Sequence, residues 1–207
     1  MFDRNTLFIT GGFALDGFEL SAVEIVILDN INSTNCTALT PASYPLEGYN
    51  SVGGLILENE TTGALPLVCG GKSDSGEILS RCFKYDNTEW VEISPMLKRR
   101  QYAIGIQLAP DKFWITGGQD ENGVNLHSTE ILDGRDGQFK SGPDLPHPSR
   151  SHCLSWVNQT HIALSGGARG GGGDTSEFYF FNVETEQWAE GPMVNVFFSR
   201  HSRIFPL

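Results

Sequence analysis

Basic residues are scarce in this chain. Only 14 Lys and Arg stand against 25 Asp and Glu, for a formal net charge of −11. A polyanion is repelled by such a field, so nucleic acid is excluded as a partner, and an anionic membrane surface is a poor one. No apolar run approaches the roughly 18 residues that a membrane helix needs, so no membrane insertion is expected. The opening MFDRNTLFITGG has no basic n-region and no sustained apolar h-region. That start is expected of a chain that is not exported, or of one whose leader lies outside this sequence. Cysteine is limited to positions 36, 69, 82 and 153, with no CxxC and no Cys/His pair at zinc spacing, so no structural metal is expected. The glycine run ARGGGGD (168–174) lacks the Lys-Ser or Lys-Thr of a phosphate loop and reads as a hairpin tip. No cofactor is implied by any motif. Helical periodicity is also missing: no apolar 3.6-residue pattern is sustained over ten residues.

Glycine and phenylalanine, by contrast, are abundant, at 24 and 13 residues. The glycines are organised. Four apolar runs end in a double glycine: LFITGG (7–12), LPLVCGG (65–71), KFWITGG (112–118) and HIALSGG (161–167). The pairs are Gly11–Gly12, Gly70–Gly71, Gly117–Gly118 and Gly166–Gly167, spaced by 59, 47 and 49 residues. A second apolar run follows each pair: VEIVILD (23–29), CFKYD (82–86), TEILD (129–133) and FYFFN (178–182). In the last three repeats the distance from the second glycine to the closing Asp or Asn is 15 residues, and in the first it is 17. Identical spacing across dissimilar loops marks a repeat architecture of one four-stranded unit per period.

A third run carries an aromatic at Trp90, Phe139 and Trp188, while Cys36 stands near that column in the first repeat. Prolines 41, 95, 143 and 192 then mark the exit loops. The fourth run precedes each double glycine, as NSVGGLILE (50–58), RRQYAIGIQLA (99–109), SRSHCLSWV (149–157) and SRHSRIFPL (199–207). The chain therefore reads as all-β, about sixteen short strands in one domain spanning 1–207. Its repeats run approximately 1–48, 49–98, 99–148 and 149–198, and 199–207 is a closing or next-blade inner strand. Either that strand closes a ring by pairing with residues 6–12, or the chain is a fragment of a larger ring. One unit cannot bury both of its faces, so units must stack.

The set of double glycines, the Tyr85–Asp86 step and the tryptophans at 90 and 188 resembles the kelch repeat, over essentially all 207 residues. The resemblance implies a kelch-type β-propeller of four-stranded blades. The first repeat departs from it, lacking the Trp and the Tyr, and four blades are fewer than such propellers usually have. The resemblance also implies a non-enzymatic protein-interaction scaffold that binds a protein partner through loops on a propeller face. Two alternatives stay open. One is a secreted carbohydrate-binding or carbohydrate-active propeller, which convergent His, Tyr and acidic side chains at the ring mouth would favour. The other is the substrate-recognition part of a ubiquitin-ligase adaptor. The copper site of a galactose-oxidase-like propeller is not matched by the histidines at 127, 147, 152, 161 and 201, and no catalytic residue is assigned.

Candidate binding residues are Arg99, Arg100, Arg150 and Arg200, which recur where inner strands begin, and Phe197 and Phe198 in an exit loop. The arginines either face a partner or bridge neighbouring blades through acidic residues. Gly11, Gly12, Gly70, Gly71, Gly117, Gly118, Gly166, Gly167, Trp90 and Trp188 are expected to be structural. In the repeat alignment Cys69 and Cys82 fall in successive antiparallel strands, in the columns held by Thr116 and Thr129 one repeat later. Facing residues of such strands approach to roughly 4.5–5.5 Å, which a cross-strand disulfide accepts if the register faces the two. N-glycosylation sequons stand at Asn32, Asn35, Asn59 and Asn158. Together with the cysteine pair, they favour an extracellular location over a cytoplasmic one.

Overall fold

The computed structural model describes residues 6–10, 23–28, 36–39, 48–49, 51–57 and 64–191, apart from 87, 171, 172, 174 and 176. Each sequence repeat becomes one antiparallel meander. The first repeat gives β1 (Thr6–Thr10), β2 (Val23–Leu28) and β3 (Cys36–Leu39). The second gives β5 (Val52–Leu57), β6 (Ala64–Cys69), β8 (Cys82–Tyr85) and β9 (Trp90–Ile93). The third runs β10 (Ile104–Ala109), β11 (Lys112–Thr116), β12 (Thr129–Asp133) and β13 (Gln138–Gly142). The fourth runs β14 (Cys153–Trp156), β15 (His161–Ser165), β16 (Phe178–Asn182) and β17 (Gln187–Glu190). Two short strands, β4 (Gly48–Tyr49) and β7 (Lys72–Ser73), pair beside the second sheet. The segments 65–71, 112–118 and 161–167 thus hold second strands of blades, as their spacing predicts, and β1 is the edge strand of the three described in the first sheet. The expected strand over 199–207, and with it ring closure, lies outside the described residues, as do Gly11 and Gly12.

The first strands of adjacent sheets approach one another: β10 lies against β5 on one side and β14 on the other. Crowded inner strands and splayed outer ones are the geometry of propeller blades. Strand β11 shows how the sequence fills the wedges. Successive side chains of a strand point to opposite faces. Phe113 and Ile115 accordingly join Val52, Ile56 and Leu67 in the core between blades two and three. Trp114, between them in sequence, joins Ile162, Phe181 and Trp188 in the core between blades three and four. Near the axis the wedge is narrow, and only glycine leaves room. A Cβ on Gly54 would lie 2.1 Å from the Phe113 ring, and one on Gly105 would lie 2.3 Å from it. Further out the space widens and takes the larger clusters. The rings of Trp114 and Phe181 are 4.7 Å apart, and those of Phe181 and Trp188 are 4.9 Å apart. Trp188 also crosses the blade boundary, its Nε1–H donating to the Asp144 carbonyl at 2.8 Å. Trp90 packs on Tyr85 of its own blade.

The double glycines serve the seam. Gly117 and Gly118 have φ of 56° and 97°, and the Gly118 N–H donates to the Ser149 carbonyl at 2.9 Å. A Cβ on Gly117 would sit 2.3 Å from that same carbonyl oxygen. A side chain is thus excluded both by the left-handed backbone and by the next blade. The preceding seam repeats the bond, with the Gly71 N–H donating to the Arg100 carbonyl at 2.9 Å. Two more backbone bonds recur at each seam. Met96 and Leu145 donate to the carbonyls of Ser80 and His127, and Arg100 and Ser149 to those of Leu79 and Leu126.

In blade two the register places Cys69 opposite Cys82, with Cα atoms 4.1 Å apart, and a disulfide joins them. Both are fully buried. Thr116 faces Thr129 in blade three, the same two columns filled without a bridge. Cys153 is a free thiol.

Gly54→Ala and Gly105→Ala should each destabilise the protein by about 1–3 kcal/mol, the usual cost of overpacking a filled core. Gly170→Ala, whose Cβ meets nothing within 4 Å, should cost far less. Urea denaturation measures all three. Equal midpoints for Gly54→Ala and Gly170→Ala would show that Phe113 does not set the blade spacing.

Candidate binding face

In each blade the second strand runs toward its double glycine and the third strand runs away from it. The loops 70–81, 117–128 and 166–177 therefore emerge at one end of the sheets. The linkers 94–103 and 143–152 meet them there, held by the seam bonds described above. This double-glycine face carries Arg99, Arg100 and Arg150, but the structure separates them into different positions. The single 49-residue offset that superposes Gly118 on Gly167 also superposes Arg100 on Ser149 and Gln101 on Arg150. The bridges confirm the register, since Gln101 pairs with Gln119 and Arg150 pairs with Ala168. Arg100 and Arg150 are not one column, although both sit at the head of an inner strand.

Arg100 is 1% exposed, so it takes the blade-bridging role and is not offered to a partner. Its Nη2 donates to Glu130 Oε1 at 2.5 Å, and its Nη1 donates to the carbonyls of Gly117 and Ser128 at 2.7 and 2.9 Å. Burial pulls its pKa below the ordinary value, against the opposing charge and hydrogen bond of Glu130. Glu130 belongs to blade three, yet it also accepts the backbone N–H groups of Leu97 and Lys98 in the linker from blade two. One carboxylate therefore fixes the shape of that linker. Arg99 is half exposed and pairs with Glu77 at 2.5 Å. Arg150 is half buried, and its guanidinium lies 5.7 Å from the centre of the Tyr102 ring. Tyr102 and Ser151 are equivalent residues with φ of 56° and 52°, and the Ser151 N–H donates to the Tyr102 carbonyl at 3.0 Å. Left-handed backbone at two non-glycine residues costs of order 1 kcal/mol each and is held by this linker-to-linker bond. Arg200, Phe197 and Phe198 lie outside the described residues, as do Asn32, Asn35 and Asn59.

At the seam between blades three and four the ion pair is replaced. The same 49-residue offset puts Tyr179 where Glu130 stands, Ser149 where Arg100 stands, and Pro146, His147 and Pro148 where Leu97, Lys98 and Arg99 stand. No buried guanidinium fills the space. Close by is a cleft of about 530 Å³, lined by Val124 and Asn125 of one loop, His147 and Pro148 of the linker, and Arg169 and Gly170 of the next loop, against about 370 Å³ beside Arg100 and Glu130 at the preceding seam. An adjoining hollow reaches Ser149, Glu177 and Tyr179. The polar groups form one chain. Glu177 accepts from Arg169 and, at 3.1 Å, from the Tyr179 hydroxyl. That hydroxyl has given its only proton, so at 2.8 Å it must accept from His147 Nε2–H. His147 is therefore the Nε2–H tautomer. Burial and the Arg169 charge hold its pKa below the ordinary value, opposed by Glu190, so the ring is neutral at pH 7. Val124 is 56% exposed at the rim.

A second histidine is wholly buried behind the face. His152 Nε2 lies 2.7 Å from Thr116 Oγ1, which itself donates to the Ile104 carbonyl, so His152 too is the Nε2–H tautomer. Burial alone pushes its pKa down to about 4. Among the described residues no group of three or more His, Cys, Asp or Glu is placed to hold a metal ion.

Sequence reasoning placed an exit loop at Pro143 and read 168–174 as a hairpin tip, but it did not join the two through the His147–Tyr179–Glu177–Arg169 chain. Its members come from one linker and one hairpin about thirty residues apart, and no spacing rule joins them. The usable signal was the loss of the Arg and Glu at fixed offset in the fourth repeat.

Stacked four-stranded meanders with crowded inner strands define a β-propeller, and a comparison with solved structures agrees. The structure of YjhT superposes with a TM-score of 0.74 at 14% identity, over 94% of this chain and 64% of that one. No family model matches. Among curated proteins, an F-box/kelch-repeat protein of Arabidopsis thaliana is 32% identical over 97 residues, or 44% of this chain and 23% of that protein. Kelch-like protein 7 of Rattus norvegicus is 28% identical over 129 residues, or 61% of this chain and 21% of that protein. The chain is thus a β-propeller that is similar to kelch-repeat proteins over these stretches. It spans less than a quarter of the length of either curated relative.

Two stability measurements test this framework. Glu130→Ala leaves the buried Arg100 uncompensated and should cost about 3–5 kcal/mol. The Arg100→Met/Glu130→Leu double variant should recover most of the loss, and a Glu130→Ala cost under about 1 kcal/mol would refute the linker role. For His152 the folded pKa near 4 lies below the unfolded value of 6.5, so the unfolded chain takes up the proton first as pH falls. Stability present above pH 6.5 should be lost between about 6.5 and 4, by up to about 3 kcal/mol. His152→Gln should remove that part of the pH dependence, whereas parallel profiles for the two proteins would contradict it.

Proposed function

We propose that the chain is a non-enzymatic protein-interaction module that seats a protein segment in the cleft between blades three and four. The observation that carries this reading is the pre-organised character of the cleft. Its walls are loops fixed by repeated seam bonds, so little ordering entropy is lost on binding. Its lining combines apolar Val124 and Pro148 with the polar side chains of Asn125, His147 and Arg169. This mixture is what a peptide with both backbone and side-chain groups requires. Kelch-repeat relatives support the same class of role. A substrate-recognition part of a ubiquitin-ligase adaptor is a special case, differing only in what else is joined to the propeller.

The carbohydrate reading has a specific observation in its favour. His147, Tyr179 and Glu177 do converge, and their hydrogen-bond chain has donors and acceptors that a hydroxyl-rich ligand could join. The rim argues the other way, because the exposed Val124 gives an apolar contact with no polar group of its own.

Protein captured from the source tissue on immobilised wild-type chain, quantified against a Val124→Asp/Arg169→Ala variant, separates these readings. A bound protein should fall by roughly ten-fold or more with the cleft variant. It should be unchanged with Lys112→Ala, at the start of β11 at the opposite end. Equal recovery on wild type and cleft variant would overturn the cleft as the site. Binding to a glycan array that the cleft variant abolishes, with no protein captured, would move the assignment to carbohydrate.

A further inference from the structure

The opposite end of blade four carries a different feature. Strand β14 runs away from the double-glycine face and β15 returns to it. The four residues between them, Val157-Asn158-Gln159-Thr160, therefore turn at the far end of the blade. Val157, Asn158 and Gln159 are exposed. The Asn158 side chain is held by one atom. Its Oδ1 accepts the backbone N–H groups of Thr160 and His161, both at 2.9 Å, and the Thr160 hydroxyl at 3.1 Å.

The neighbouring histidine fixes the direction of the last bond. The Asn182 amide nitrogen can only donate, so His161 Nε2, at 3.4 Å, is an acceptor and Nδ1 carries the proton. His161 Nδ1–H then donates to Thr160 Oγ1 at 2.9 Å, and the Thr160 proton goes on to Asn158. Every donor converges on the amide oxygen. The amide nitrogen, Nδ2, makes no hydrogen bond among the described residues. Asn158-Gln159-Thr160 is thus a sequon whose nitrogen is free at an exposed turn and whose hydroxyl already donates to the amide oxygen.

An independent observation specifies the compartment. The Cys69–Cys82 disulfide is wholly buried in blade two, 13 residues apart in sequence. A buried disulfide must form before or as its blade closes, in surroundings that oxidise thiols, as the secretory pathway does. The same pathway glycosylates sequons.

We propose that Asn158 is an N-glycosylation site and that this chain matures in an oxidising, glycosylating compartment. Nδ2 forms a bond to the anomeric carbon of a lipid-pyrophosphate-linked oligosaccharide. The carbon–oxygen bond to the pyrophosphate breaks, the electron pair leaves on the pyrophosphate oxygen, and one Nδ2 proton passes to a base. No oxidant or reductant is involved in that step. The glycan projects from the end opposite the cleft, so it leaves the double-glycine face open and marks the far end as solvent-facing. This proposal does not depend on what the cleft binds.

Peptide mapping without reduction, on protein from its source and on full chain secreted from cultured eukaryotic cells, tests it. The Asn158 peptide should carry a hexose and N-acetylhexosamine mass, and peptide N-glycosidase should convert Asn158 to Asp. Asn158→Gln and Thr160→Ala should each remove one glycan from the secreted protein, while Thr160→Ser should keep it. All of these should retain the Cys69–Cys82 linked peptide, which reports folding apart from glycosylation. An unmodified Asn158 peptide in protein whose disulfide is formed would overturn the glycosylation site. Free thiols at both Cys69 and Cys82 in protein from its source would overturn the compartment.

Discussion

One carboxylate organises the seam between blades two and three. Glu130 sits on a strand of blade three, but its two oxygens are taken by a guanidinium and two backbone N–H groups that arrive from blade two. Arg100 passes the constraint on, because its other amino group bonds the carbonyls of Gly117 and Ser128 on either side of the blade-three loop. A buried ion pair is weak support for stability, since desolvation offsets most of the attraction. Geometry is where it acts. The linker meets the carboxylate directly, and the Arg100 guanidinium ties the double glycine and the end of the loop after it to the same pair. Apolar packing between blades is indifferent to small slides of one sheet on another, whereas this network is not.

The fourth repeat shows what happens when the pair is withdrawn. Backbone bonds at the seam persist unchanged, with Ser149 and Leu145 repeating the bonds of Arg100 and Met96. Only the side chains differ: Tyr179 and Ser149 are too neutral, and Ser149 too short, to fill the space of Glu130 and Arg100. A small hollow beside Ser149 and Tyr179 marks the exchange, and it adjoins the larger cleft that the two loops and the linker enclose. A repeat protein can build a binding site in this way at little cost to its fold, because each seam is closed by backbone bonds that the side-chain exchange does not touch.

Much of this architecture was legible in the chain. Double glycines at near-constant period located the second strands, and the 15-residue step located the third. The alignment placed Cys69 and Cys82 in facing columns because hairpin register is fixed by loop geometry that the repeats share. Legibility failed where chemistry depends on register finer than the repeat. Arg100 and Arg150 both head an inner strand, and sequence alone grouped them. Hydrogen-bond register separates them by one position, and that one position decides between burial at a seam and a place over Tyr102. The partner of Arg100 was equally hidden, since Glu130 lies thirty residues on and beyond a complete hairpin.

The two ends of the blades carry opposite kinds of residue for a physical reason. At the double-glycine end, loops from one blade must bond linkers from the next, so backbone groups are consumed between blades and side chains are left to shape a surface. At the far end each turn closes on its own blade. The Asn158 and Asn182 turns each hold two backbone N–H groups on one side-chain oxygen, and the Asp133 turn divides its own among Asp133, Asp136 and the Asp111 carbonyl of the same blade. Turns that need nothing from a neighbour are free to vary without disturbing the stack, and an exposed sequon is tolerated at one of them. The division of roles proposed for the two ends thus follows from which end closes the seams.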